Sequence, residues 1–147
     1  IIDLLVILML LGGVIFGAKR IAKTPSLTNA ATRKGTIYMD IIEVKMATVS
    51  KVKEGDPLYD YDKGTYLGVI NKVSYEPFKK EVEYKDKFVL AEVPEKYVVH
   101  VEVACDVKET DDFYQVGTEQ IRIGNQQRVK NKNIASFATV MDIKVEW

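Results

Sequence analysis

Two hydrophobic periods divide the chain. Residues 1–18, "IIDLLVILMLLGGVIFGA", are apolar on every side with Asp3 as the one charge, which predicts a hydrophobic helix over residues 1–23. After a small, polar stretch punctuated by Pro25 and Gly35, read as a linker over residues 24–35, the period changes. "TIYMDIIEVKMATV", "TYLGVINKVSY", "KFVLAEV", "KYVVHVEVACDV", "EQIRIG" and "SFATVMDIKVEW" are β-branched and aromatic runs, several of them alternating. They are broken by "EGDP", "DKG", "VPEK" and "IGNQ", so residues 36–147 read as an all-β domain.

Within that domain two segments match in the same order, predicting repeats at about 36–77 and 96–147. "EGDPLYDYDKGTYLGVINKVSYE" aligns with "IGNQQRVKNKNIASFATVMDIKVE", pairing Gly55 with Gly124, Asp56 with Asn125 and Ile70 with Val140. Upstream, "YMDIIEV" aligns with "YVVHVEV", pairing Tyr38 with Tyr97 and Val44 with Val103. Two units are too few for a solenoid. The expected fold class is mainly β with one N-terminal hydrophobic α-helix, the repeats folding together as one small barrel or sandwich.

The apolar segment sets the functional expectations. Eighteen helical residues extend roughly 27 Å, close to the hydrocarbon thickness of a bilayer. A secretory signal would show a basic run before the apolar core, and none precedes Ile1. A start at Ile1 also suits a mature chain released by cutting a short leader directly before the apolar segment. Four residues are the assembly candidates: Ile1, Asp3, Gly13 and Gly17. Asp3 in a first turn is favoured by the helix dipole and can pair with a free amine at Ile1, or simply cap the helix at a wet interface. Gly13 and Gly17 form a GxxxG spacing that clears one helix face for close approach of another. Lys19, Arg20 and Lys23 close the segment, and for a one-pass anchor they favour a cytoplasmic body, a tendency weakened because charges in any removed leader are uncounted and a folded domain can be exported despite a few flanking lysines.

In position and uniform apolarity "IIDLLVILMLLGGVIFGAKR" resembles the N-terminal helix of type IV pilins and their archaeal relatives, although Leu5 stands where bacterial pilins carry glutamate. That likeness implies a structural subunit of an extracellular, cell-surface filament, with copies of itself as partners and the membrane as its home before assembly. The alternative expectation is a single-pass membrane-anchored, extracytoplasmic β domain with a binding or envelope role. The whole run, from "IIDLL" through "GDPLYDYDKGTYLGVI" to "IRIGNQQRVKNKNIASFATVMDIKVE", is similar to the bacterial family catalogued as domain of unknown function 4330. This resemblance implies a β-rich domain behind an N-terminal hydrophobic helix and brings no assigned activity.

Charge and side-chain inventory narrow the remaining classes. The 147 residues balance 21 basic against 21 acidic side chains; after residue 23 the balance is 18 against 20, which gives no electrostatic case for nucleic acid. Cys105 is the single cysteine, so no intrachain disulfide and no zinc site on paired thiolates is available. Alternation places Cys105 with Val99, Val101 and Val103, as a buried small hydrophobe.

His100, the single histidine, shares a strand face with Glu102, a possible acid–base pair, but no nucleophile motif accompanies it and an ordinary polar sheet face is the expectation. "DYDKG" echoes a calcium loop, yet Gly64 replaces a ligand and Asn71 stands at the closing position; a hairpin turn is expected instead. The basic turn "RVKNKN" and the acidic stretch "KETDD" are expected to be solvated, or to set register between neighbouring subunits. No catalytic residue, metal or cofactor is assigned, and the chain is expected not to be an enzyme.

Overall fold

The computed structural model describes residues 31–147. Eight strands follow one another: β1 (Thr32–Val44), β2 (Pro57–Asp60), β3 (Tyr66–Tyr84), β4 (Lys87–Glu109), β5 (Tyr114–Val116), β6 (Glu119–Ile121), β7 (Gln126–Lys130) and β8 (Ala135–Val145). A single helical turn, α1 (Met46–Val49), lies between β1 and β2. Every strand pairing is antiparallel. The order β1-β8-β7-β2-β3-β4 returns to β1 through a β1–β4 ladder, so six strands close into a barrel, and the β5–β6 hairpin extends from the end of β4. Closure removes the open edges that a sheet of this composition would otherwise present.

Strand alternation decides what fills the barrel. Ile37, Met39 and Ile41 of β1 and Val99, Val101, Val103, Cys105 and Val107 of β4 all point inward and are buried. They meet Leu58, Leu67, Ile70, Val129, Val140 and Ile143 from the remaining barrel strands in one cluster. Each such aliphatic side chain, fully buried, is worth about 1.5–3 kcal/mol relative to exposure. Val49 and Val52, in and just after α1, join the same cluster.

The expected fold class is corrected at one point. It combined a β domain with an N-terminal hydrophobic α-helix, whereas among the described residues the chain is nearly all β, with no helix longer than the four residues of α1. Alternating β-branched and aromatic side chains bury one face at period two, and a helix cannot do that with the same residues. Residues 1–23, on which the helix was expected, lie outside the described residues.

The two halves of the barrel are built alike at their hairpin bases. Gly55 N–H donates to the Ile70 carbonyl at 2.7 Å, and Ile70 N–H donates to the Asp56 carbonyl at 2.9 Å. Gly124 N–H donates to Val140 at 2.7 Å, and Val140 N–H donates to Asn125 at 2.9 Å. Both glycines sit at positive φ, +87° and +83°, where a side chain would be strained. Immediately afterwards β3 skips Asn71 against β4, and β8 skips Met141 against β1. The matching registers equate Val103 with Met39 and Val101 with Ile37, and set Tyr38 directly opposite Glu102 at the centre of the β1–β4 ladder. The sequence alignment instead set Val103 against Val44. That match is five residues out of register, because alternating β-branched runs fit one another at several offsets; the one-residue bulge between Ile41 and Val44, with Glu43 at φ +56°, turns Val44 inward and makes the false match look sound.

Candidate functional site

Side chains that alternate outward on β1, β4, β3 and β8 line a shallow groove of about 370 Å³, among them Asp40, Lys72, Ser74, His100, Glu102 and Asp142. The ladders place Asp40, His100 and Ser74 side by side across three strands. His100 Nδ1 lies 2.6 Å from Asp40 Oδ1, and its Nε2 lies 3.7 Å from Glu76 Oε1. The imidazole therefore stands between two carboxylates, so a proton on either nitrogen faces an acceptor or an opposite charge.

His100 and Glu102, adjacent on one face as the alternation predicts, do not form a pair. Glu102 turns to Lys72 at 3.7 Å, while His100 takes Asp40, sixty residues away in sequence. Among the described residues no hydrogen bond joins His100 to a serine or thiol. The histidine side chain is 40% exposed, so solvent weakens the electrostatics of the cluster. The arrangement presents a mixed-charge surface. Asp40 had no local signal beyond falling on the outward parity of β1, and Glu76 none at all, because their relation to His100 is made by strand pairing.

The other sequence candidates occupy structural positions. Cys105 is buried with its Sγ 3.6 Å from the Gly35 carbonyl, and desolvation, helped by the nearby Asp106 charge, pushes its thiol up to about 12. Such a thiol is not a nucleophile at neutral pH. "DKG" closes the β2–β3 hairpin: Asp60 is buried, and its Oδ2 accepts from Lys63 N–H at 2.8 Å. The basic turn is occupied within the chain. Arg128 lies 3.3 Å from Asp62 and stacks over the Tyr61 ring at 3.9 Å, and Lys130 donates to the Tyr61 carbonyl at 2.9 Å. Among the described residues no group of three His, Cys, Asp or Glu side chains could hold a metal ion. Ile1, Asp3, Gly13 and Gly17 lie outside the described residues.

The feature that sequence reasoning passed over is an arm. Beyond the barrel, β3 and β4 continue as a two-stranded hairpin in which residues 79–84 pair one for one with residues 92–87. Its base is marked by a break in the ladder after Pro77, with Pro94 and positive-φ Glu95 on the opposing strand. Both prolines lack the N–H a continuous ladder needs. Its tip is a two-residue turn, Lys85 and Asp86 at φ +51° and +57°, the conformation that matches strand twist. Val82, Tyr84, Phe88, Val89 and Leu90 are exposed there, Phe88 at 76% and Leu90 at 69%. "KFVLAEV" was legible as a strand. Its apolar residues fall on both faces instead of one, and that was the available sign that it does not line the core.

The described fold thus defines a closed antiparallel β barrel with a projecting apolar hairpin and a polar outer face. Among the described residues no helix is long and apolar enough to cross a membrane. The chain belongs to the family described as Domain of unknown function (DUF4330), whose model matches residues 1–144. This match takes in the apolar segment and the barrel together, and gives no support to the pilin-like reading. No curated protein and no solved structure matches the chain.

Proposed function

We propose that this protein is a membrane-associated binding module rather than an enzyme, held at an extracytoplasmic membrane face by its apolar first eighteen residues. The barrel is the rigid body, and the arm is the element that meets a partner protein. The observation that carries this reading is the arm, where five large apolar side chains, Val82, Tyr84, Phe88, Val89 and Leu90, stand exposed together on one short two-stranded ribbon with no core of its own. Support also comes from the exposed, mixed-charge setting of the His100 cluster, a polar surface that a partner can contact. One family match spanning both the apolar segment and the barrel makes the two a recurring unit.

Fractionation of cells making the full chain tests the reading. The expected outcome is recovery in the membrane fraction, release only by detergent, and cleavage of the domain by protease added outside the cytoplasm. Recovery in sheared surface fibres would favour the filament expectation instead, and recovery as freely soluble protein would overturn both.

A further inference from the structure

The arm leaves both of its edges open. Over residues 79–84 and 87–92, β3 and β4 pair only with each other, so among the described residues each turns a row of unpaired backbone N–H and C=O groups outward. The register sorts the side chains by face. Val82 and Val89 stand opposite each other on one face, while Phe88 and Leu90 stand opposite Glu83 and Glu81 on the other.

Lipid is a poor occupant for this surface. Residues 79–92 carry four lysines and four carboxylates, which leaves no net attraction to an anionic headgroup layer. Sinking Phe88 and Leu90 into acyl chains would also bury Glu81 and Glu83 beside them.

We infer that the arm is a homotypic interface, in which the β4 edge over residues 87–92 pairs antiparallel with the same edge of a second copy across a twofold axis at Val89. Its binding role rests on the reading proposed above; the choice of occupant rests on symmetry and pattern. A twofold axis perpendicular to the joined sheet returns each face to itself, so directly opposed residues must come from the same face. The axis therefore passes through a residue, not between two.

Centred on Val89, it sets Phe88 opposite Leu90 of the second copy, twice. On the other face it lines up Val82, Val89 and their two copies in one row across four strands. Centred on Leu90, it would set Phe88 against Glu92, an apolar ring against a carboxylate. The Val89 register has one cost: Asp86 opposes Glu92 of the second copy, and Lys79, paired with Glu92, offsets part of it. A contact of six residues a side is smaller than a stable interface between free proteins. Holding both copies in one membrane supplies the effective concentration it needs.

Cross-linking of the full chain in lipid vesicles tests the interface. Val89→Cys places two thiols on the axis at the separation of opposed strand residues, about 5 Å between Cα atoms, within reach of a disulfide. Val82→Cys, on the same face, is three strands from its copy, about 14 Å, and is out of reach. Mild oxidation is expected to convert Val89→Cys to a covalent dimer while Val82→Cys and the parent chain, with Cys105 alone, stay monomeric. Adding Leu90→Glu to Val89→Cys is expected to cut the dimer yield several-fold, because it sets a carboxylate against the Phe88 ring of the second copy in a row that already holds Glu81 and Glu83, with the thermal midpoint unchanged.

Equal or faster cross-linking of Val82→Cys overturns the inference, as does a monomeric Val89→Cys. Flotation of the same vesicles keeps the two claims apart. Chain that floats without the Val89 cross-link loses the interface and keeps the anchoring. Chain that does not float loses the anchoring, and the cross-link is then read on free protein at high concentration.

Discussion

β3 and β4 pair along nearly their whole length, yet their two halves obey different rules. In the barrel half, Val99, Val101, Val103 and Val107 point inward and are buried, while His100 and Glu102 point into the outer groove. In the arm half, valine stands opposite valine on one face, and phenylalanine and leucine stand opposite glutamates on the other, with no described residue packed over either. The hydrogen-bond ladder is of one kind in both halves. What differs is whether a second layer receives one face, and an isolated two-stranded ribbon is only marginally stable in water. The arm therefore borrows stability from the barrel below it, and among the described residues nothing covers its apolar surface.

Substitutions that shorten a side chain in one half and then the other sharpen this contrast. Ile37→Ala, at a fully buried position facing the β4 valines, is expected to cost about 2–5 kcal/mol in denaturant unfolding. A smaller effect comes from Cys105, whose folded-state thiol lies at about 12 against an ordinary 9.0 because it is buried.

Below the ordinary value both folded and unfolded chains keep the proton, so the stabilisation is complete. Between the two values the unfolded chain releases a proton that the folded chain retains, and stability falls as pH rises. From about pH 8 to about pH 10 the loss is on the order of 1 kcal/mol. Urea midpoints of a Cys105→Ala chain over the same interval are expected to lack that part of the slope. The smallest effect belongs to the arm: Phe88→Ala is expected to move unfolding by less than about 0.5 kcal/mol. A loss at Phe88 comparable to that at Ile37 would show that the arm packs into the fold, and would break the contrast.

Much of the β domain was legible because its signals are local. The alternation in "VVHVEVACDV" placed Val99, Val101, Val103 and Cys105 on one buried face, and "DKG" announced the turn that Asp60 caps. Gly55 and Gly124 marked two hairpin bases whose hydrogen bonds agree bond for bond. The candidate site was legible only in part. His100 was visible as an outward residue of β4, but its partner was taken from the same strand, Glu102, when a neighbouring strand supplies Asp40 at 2.6 Å. Asp40 stands directly opposite His100 across the β1–β4 ladder, nearer than Glu102 two residues along the strand, and its distance in sequence hid it.

By itself the amino-acid sequence determined most of the barrel strands, the inward face of β4 and the "DKG" turn, because alternation, β-branching and glycine conformation act within a few residues of one another. It also determined that the leading eighteen residues are apolar and need a setting other than water. Only the tertiary structure decided that β1 closes on β4, that His100 lies between Asp40 and Glu76, and that the β3–β4 ribbon outruns the barrel. Those outcomes depend on pairings between residues many positions apart. Their free energy comes from a core that exists only once all six barrel strands are in register.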